Sequence, residues 1–192
     1  MLNFEGFGLI CLVVYIIFIV KKKKENLADP NVVLNCFLFV YILILMNVTI
    51  FPLPIDTQLI RYSIDHPEYN PTNNFIPFQS ISNYLSGPHF TVAVKNILGN
   101  ILLLAPLGFF LNYYKRGPIS LMLLILIGFF SSLSVELSQL LISSILGFTY
   151  RSFDVDDLIL NTIGFTLGFI IFHIFQRLIP AQYLKKFFKL PA

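Results

Sequence analysis

Five long apolar runs constrain this chain more than any other feature of its sequence. They cover residues 6–20, 32–50, 92–114, 119–146 and 158–175. About 20 apolar residues suffice for a helix to cross the hydrocarbon of a bilayer. With 56% hydrophobic and 12% charged residues, the composition excludes an ordinary water-soluble domain. We therefore expect an all-α fold, a polytopic membrane helix bundle of about five transmembrane helices that occupies residues 1–192 as a single membrane domain.

The basic residues predict how the bundle is oriented. They follow the first, third and fifth runs: four lysines at 21–24, then Lys115 and Arg116, then Lys185, Lys186 and Lys189. Five spans place all three groups on one side, and positive loops face the cytoplasm. The predicted N-terminus is therefore outside and the C-terminus cytoplasmic. The basic residues behind the net charge of +3 lie in short connections between apolar runs, where they orient the helices in the lipid bilayer. They therefore do not indicate a nucleic acid partner.

Polar side chains interrupt the last two runs at helical spacing. On the fourth run, one helix face holds Ser132, Glu136, Gln139 and Ser143, and on the fifth the same spacing gives Asp157, Asn161, Gly164 and Gly168. A charge at the centre of a span costs about 2.5–3.5 kcal/mol on insertion scales. Glu136 must therefore face protein or water. Gly164 and Gly168 form a small-xxx-small pair that lets a neighbouring helix approach closely.

Polar residues of three helices are predicted to meet near the outer end of the bundle. Asn96 and Asn100 share a face at the start of the third run, and a short connection between the fourth and fifth runs carries Arg151 and Asp154. The predicted binding residues are Asn96, Asn100, Glu136, Gln139, Arg151, Asp154, Asp157 and Asn161. The candidate catalytic residues are Glu136, Asp154 and Asp157. No residue is assigned to a metal, and the cofactors stay unknown.

Three interpretations of this cluster stay open. It is structural, with Arg151 neutralising Glu136 or Asp154. It is catalytic, with Glu136, Asp154 and Asp157 as acid, base or ligands of a hard divalent cation. Or it binds a ligand without chemistry. Ionisable residues within spans are functional hypotheses by default.

The one long polar segment, residues 56–90, contains too many prolines to form a span. Within it, residues 74–78 are short and apolar. They are expected to form a re-entrant or interfacial piece that lies against the helix ends.

Four motifs in order resemble those of the VanZ-like membrane proteins. They are Asn74-Phe-Ile-Pro-Phe78; Asn96-Ile-Leu-Gly-Asn100 with Pro106 and Gly108; Glu136-Leu-Ser-Gln139; and Arg151-Ser-Phe-Asp154-Val-Asp156-Asp157 with Asn161 and Gly164. The signature region spans residues 74–168. The resemblance implies a multi-pass bacterial cell-membrane protein of a family whose founding member lowers susceptibility to teicoplanin. It supplies no reaction.

The expected function combines the resemblance with the polar cluster. We expect a cell-envelope protein with an outward-facing polar cleft that influences sensitivity to teicoplanin-type glycopeptides, an antibiotic-resistance role. Its expected partners are a lipid-linked cell-wall precursor or the lipoglycopeptide itself. The alternative is a membrane enzyme that modifies an envelope lipid or cell-wall precursor, with Glu136 and Asp157 as acid and base. Whether the protein is an enzyme stays open.

Overall fold

A computed structural model describes residues 1–24, 31–88, 90–115 and 117–178. The helices are α1 (Phe4–Lys24), α2 (Val32–Thr49), α3 (Thr57–Asp65), α4 (Gln79–Ser86), α5 (Phe90–Tyr114), α6 (Leu121–Leu146) and α7 (Val155–Leu178), with one 3-10 turn at Pro67–Tyr69. No β-strand occurs in these ranges, where only two isolated β-bridges form. The all-α prediction is confirmed.

Five of these helices are long and apolar enough to cross a membrane, namely α1, α2, α5, α6 and α7. They correspond one to one with the five predicted runs, so the multi-pass membrane fold is confirmed. The orientation of the termini and the single-domain organisation stay predictions. Arg116 and the tail with Lys185, Lys186 and Lys189 lie outside the described residues.

The chain divides into two compact units, and the second, residues 60–178, holds α4 to α7. The most closely packed helices of this unit are α5 and α7, which run parallel and whose backbones are in direct contact. A Cβ added at Gly164 would lie 1.8 Å from the carbonyl oxygen of Ile101, and one at Gly168 would lie 1.8 Å from that of Ala105. The predicted close approach of a helix at these glycines is therefore confirmed, and the neighbour is α5.

Helix α6 runs antiparallel to α7 and packs on its other side. Gly128 lies against the ring of Phe165 near one end, and Glu136 reaches the backbone of Asp154 near the other. Phe165 and Phe172 are almost completely buried between the helices. The helix begins with Ser120 capping the backbone N–H of Leu123. Antiparallel packing thus brings the polar end of α6 to the start of α7.

The first unit, within residues 1–59, contains α1 and α2. Tyr15 and Phe39 stack with ring centroids 4.0 Å apart, and Leu2 pairs with Leu53 through two backbone hydrogen bonds. Only Gly8 of α1 and Thr49 of α2 are buried. Most of the apolar side chains of α1 are exposed, and most of those of α2 are half-buried.

The segment before α5 forms two short helices that the sequence pattern did not predict. Helices α3 and α4 are too short to span a membrane. Gln79 follows Phe78, whose φ of 67° turns the chain sharply into α4. The prediction that residues 56–90 do not cross the bilayer agrees with these lengths.

Candidate functional site

The segment between α2 and α5 carries α3 and α4, and we call it the loop. Asp154 attaches the loop to the start of α7 through hydrogen bonds. Its Oδ1 accepts hydrogen bonds from the backbone N–H of Asp156 at 2.8 Å and from Asn74 Nδ2 at 2.8 Å. Its Oδ2 accepts one from the hydroxyl of Ser80 at 2.6 Å. The first bond caps α7, and the other two attach the loop. Both carboxylate oxygens of Asp154 are therefore occupied by structural bonds.

Asp156 attaches the start of α4 to α7. The carboxylate is 1% exposed and accepts the backbone N–H groups of Phe78 at 2.5 Å and Ile81 at 3.0 Å. These are N–H groups that the first turn of a helix leaves without intrahelical partners, and the negative charge also complements the helix dipole. Asp156 therefore acts as a cap for α4 that is supplied by α7.

Backbone pairing completes the attachment of the loop. The N–H of Asn74 donates to the carbonyl of Phe153 at 2.8 Å, and that of Val155 donates to the carbonyl of Asn74 at 3.1 Å. Asn73 Oδ1 accepts the N–H of Phe153 at 2.8 Å. The prediction that residues 74–78 lie against a helix end is thus confirmed for the start of α7.

Glu136 lies behind this loop, inside the helix packing. It is 2% exposed, and its Oε2 accepts the backbone N–H of Asp154 at 3.1 Å. Glu136 faces protein, as the cost of a charge in lipid requires.

Asp157, which follows Asp156 on α7, points toward α5 and α4. Its Oδ1 accepts a hydrogen bond from Asn100 Nδ2. Burial raises the pKa of the Tyr84 phenol on α4 above its ordinary value of 10.0, the charges of Asp157 and Asp154 raise that pKa further, and a hydrogen bond with Asn96 acts to lower it. Tyr84, Asn96, Asn100 and Asp157 therefore form one cluster, which we call the rim cluster.

Two further polar residues lie one helical turn deeper. Ser132 precedes Glu136 by four residues on α6, and Asn161 follows Asp157 by four on α7. Both are 0% exposed, and neither the Ser132 hydroxyl nor the side-chain amide of Asn161 has a hydrogen-bond partner among the described residues. An unsatisfied buried polar group costs about 1–3 kcal/mol. Packing alone therefore gives no reason for these two side chains.

Arg151 and Gln139 belong to the end of α6. Ser143 fixes the chain there, because its Oγ donates to the carbonyl of Arg151 at 3.0 Å and accepts the N–H of Tyr150 at 3.2 Å. The guanidinium carbon of Arg151 lies 5.7 Å from the centroid of the Tyr150 ring. Gln139 is half-buried.

The structure thus gathers five of the predicted residues around the start of α7: Asn96, Asn100, Glu136, Asp154 and Asp157. Asn161 lies one turn deeper, and Arg151 lies beside the end of α6. Asn73, Asn74, Ser80, Tyr84 and Asp156 also take part and were not assigned to the site. Ser80 and Tyr84 have helical i, i+4 spacing, which is the one signal that could have indicated them.

In the part of the chain that the structure describes, no three His, Cys, Asp or Glu side chains are grouped as metal ligands. The polar groups that converge are carboxylates, amides and hydroxyls. Such groups bind partners that offer N–H or O–H donors, or exchange protons with them.

The chain matches a family model described as VanZ/LLP1 over residues 37–176. This range includes α5, α6, all but the last two residues of α7, and the loop that carries α3 and α4. No curated protein and no solved structure matches the chain. The matched residues cover well over half of the sequence and contain every residue of the site.

Proposed function

Because the chain belongs to the VanZ/LLP1 family, we propose that it is a multi-pass cell-envelope protein with an outward-facing polar cleft that lowers susceptibility to teicoplanin-type glycopeptides. In this proposal the N-terminus is outside and the C-terminus is cytoplasmic, so that the rim cluster opens toward the envelope. The ligand is a lipid-linked cell-wall precursor or the lipid-bearing antibiotic itself. Both offer amide and hydroxyl donors that suit the site.

The observation that carries the proposal is that the three aspartates at the start of α7 make different kinds of contact. Asp154 and Asp156 are occupied in holding the loop. Only one carboxylate oxygen of Asp157, Oδ1, accepts a hydrogen bond from Asn100, and Tyr84 and Asn96 lie beside it. A side-chain bond that orients a carboxylate while leaving an oxygen for a ligand is typical of a prepared binding site. Asp157 is therefore the residue that we expect to contact the ligand.

The test compares isosteric neutral variants in a host made less susceptible by the parent protein. Asp157→Asn and Glu136→Gln keep the side-chain shape and remove the charge. Hydrogen bonds to charged groups contribute about 1.5–3 kcal/mol, so loss of one at Asp157 should weaken binding by about tenfold or more. We expect the minimal inhibitory concentration of teicoplanin to fall toward that of the host without the protein.

Asp65→Asn is the matched control, since Asp65 is an exposed carboxylate at the end of α3. It should leave the inhibitory concentration at the parent value. Membrane abundance of each variant is measured in parallel by quantitative blotting. If Asp157→Asn and Glu136→Gln accumulate normally and protect as well as the parent, the polar site does not carry the function.

An enzyme is the second candidate, and the proximity of two carboxylates favours it. Glu136 Oε2 accepts the backbone N–H of Asp154, and Asp157 follows three residues later on α7. Two carboxyl groups at one site can serve as an acid and a base. The substrate would be an envelope lipid or a cell-wall precursor. Mass spectrometry of envelope lipids with and without the protein separates the candidates: a new product that Glu136→Gln abolishes supports the enzyme, and unchanged lipids support binding.

A further inference from the structure

The loop beside the site carries large apolar side chains that no part of the second unit covers. Phe75, Ile76, Phe78 and Leu85 are 65%, 62%, 62% and 60% exposed. We call these four residues the apolar rim. Leaving such side chains in water forfeits the favourable free energy of burying them. A surface of this kind indicates a partner.

The apolar rim is held outward by bonds and is not a loose end of the chain. The backbone of Asn74 is paired with Phe153 and Val155, and the ring of Phe75 stacks on the buried ring of Phe153 with centroids 5.5 Å apart. Asp156 binds the N–H groups of Phe78 and Ile81 on either side of the turn into α4. Turning the apolar rim inward would break these contacts.

The backbone at Phe78 supports the same conclusion. Its φ of 67° is uncommon for a residue with a bulky side chain. Such a conformation is unfavourable for a bulky side chain and persists where the surroundings fix it. Here it directs Phe78 away from the helices while its N–H reaches Asp156. The chain therefore adopts an unfavourable conformation that keeps an apolar side chain exposed.

The position of the apolar rim identifies what covers it. Val155, which pairs with Asn74, is the first residue of the spanning helix α7, and α4 ends four residues before α5 begins at Phe90. The apolar rim is thus attached at the level where two spans enter the bilayer. Residues at that level meet lipid headgroups and the first part of the acyl chains.

The charge pattern of the loop agrees with this depth. No Asp, Glu, Lys or Arg occurs between Glu68 and Lys95, whereas the preceding part carries Asp56, Arg61 and Asp65. About a quarter of the residues in soluble domains are charged. An uncharged stretch with aromatic side chains is typical of a segment that enters the interface. A protein partner would be free to pair with charges, and this surface offers none.

We propose that the apolar rim inserts into the acyl region of the leaflet at which α5 and α7 begin. The opposite face of α4, with Ser80 and Tyr84, then stays at headgroup depth beside Asp157. A ligand with a lipid chain can reach the rim cluster from within the bilayer. The membrane contact itself does not depend on what the site binds.

The test uses tryptophan fluorescence, because the chain contains no tryptophan. Ile76→Trp and Leu85→Trp each place one indole on the apolar rim, in two different elements. The full-length variants are reconstituted into phosphatidylcholine vesicles with and without bromine on the acyl chains. We expect blue-shifted emission, strong quenching by the brominated lipid and little quenching by iodide in water.

Two variants calibrate the result. Phe130→Trp lies in α6, 60% exposed among apolar residues, and should be quenched by brominated lipid. Tyr69→Trp lies next to Glu68, is 73% exposed, and should be quenched by iodide. If Ile76→Trp and Leu85→Trp behave like Tyr69→Trp, the apolar rim lies in water and the proposal is wrong. Protection from both quenchers would mean that protein covers it, which also overturns the proposal.

Discussion

The first two spanning helices and the last three are all strongly apolar and differ in how much of each is buried. The mean hydropathy of α1 and α2 is 2.2 and 2.3, and that of α5, α6 and α7 is 1.7, 2.0 and 2.0. Yet 6% of the apolar window is buried in α1 and in α2, against 17% in α5, 22% in α6 and 44% in α7. Hydropathy therefore identifies which segments cross the membrane and does not identify which of them form the core.

Small and polar residues make the difference. In α7, Gly164 and Gly168 admit the backbone of α5, whereas Gly6 of α1 has no atom within 4 Å of the place where a Cβ would lie. Helices in lipid gain little from apolar contact alone, because the acyl chains are equally apolar. They associate through close packing and hydrogen bonds, and α5 to α7 supply both. The polar site thus occurs where the helices are held most closely.

The largest predicted effect breaks the closest contact. Gly164→Ala places a methyl group 1.8 Å from the carbonyl oxygen of Ile101, which belongs to backbone that cannot rotate away. Overpacking of a close-packed interior typically costs about 1–3 kcal/mol and occasionally more. We expect a lower thermal midpoint in detergent micelles, measured by circular dichroism, and loss of the Asn100–Asp157 contact.

Two other glycines serve as controls for that prediction. Gly99, on α5 itself, and Gly6, on α1, have nothing within 4 Å of an added Cβ. Alanine is the better helix former by about 1 kcal/mol, so Gly99→Ala and Gly6→Ala should leave stability unchanged or raise it slightly. If all three variants lose the same stability, the contrast between the two groups of helices is unfounded.

Much of the fold could be predicted, because each spanning helix is a local property of the sequence. The apolar runs located all five spans, and the spacing of Gly164 and Gly168 located the face that another helix contacts. The loop could not be predicted in the same way. Helix α4 is eight residues long and is capped by Asp156, which lies 75 positions from Ile81 in the sequence. A cap supplied by another element leaves no local pattern.

The spacing of polar residues indicated part of the cluster and did not indicate the role of each residue. Glu136, Asp154 and Asp157 were grouped as candidate acids and bases because all three are carboxylates near one membrane level. In the structure Asp154 binds Asn74 and Ser80, residues of the loop. Helical periodicity says which residues share a face, but it does not say which hydrogen-bond donors of a distant loop arrive there.

The second prediction concerns Asp156, which caps α4 from the start of α7. Asp156→Ala leaves the buried N–H groups of Phe78 and Ile81 without their acceptor, at a cost of about 1–3 kcal/mol. We expect α4 to open locally while the spans stay folded. Hydrogen exchange followed by mass spectrometry should show faster exchange in residues 78–86 and unchanged exchange in α6. Faster exchange throughout α5 to α7 would instead mean that Asp156 supports the whole unit.

A smaller effect is predicted at Ser132, which is fully buried without a partner. Ser132→Ala removes the unsatisfied hydroxyl and keeps the volume almost unchanged. Replacement of such a group by an apolar one is neutral or stabilising, so we expect the thermal midpoint to stay or to rise slightly. If the serine serves the site, protection against the glycopeptide falls at the same time. A loss of stability would show that the hydroxyl has a structural partner.

The smallest effect is a change in the titration of Tyr84, which belongs to the rim cluster. Burial and the charges of Asp157 and Asp154 raise its pKa above 10.0. As the pH rises from 10 through this raised pKa, the folded protein keeps a proton that the unfolded chain has lost. The contribution of Tyr84 to stability is therefore complete below about pH 10 and is lost above it.

Asp157→Asn removes one of the charges that raise this pKa and leaves the burial in place. The pKa of Tyr84 should therefore fall in that variant and still lie above its ordinary value. Ultraviolet absorbance of tyrosinate measures it, as the difference between titrations with and without Tyr84→Phe in each background, since the chain has nine tyrosines. An equal pKa in both backgrounds would mean that Asp157 does not face Tyr84, and the rim cluster would then reduce to the pair of Asn100 and Asp157.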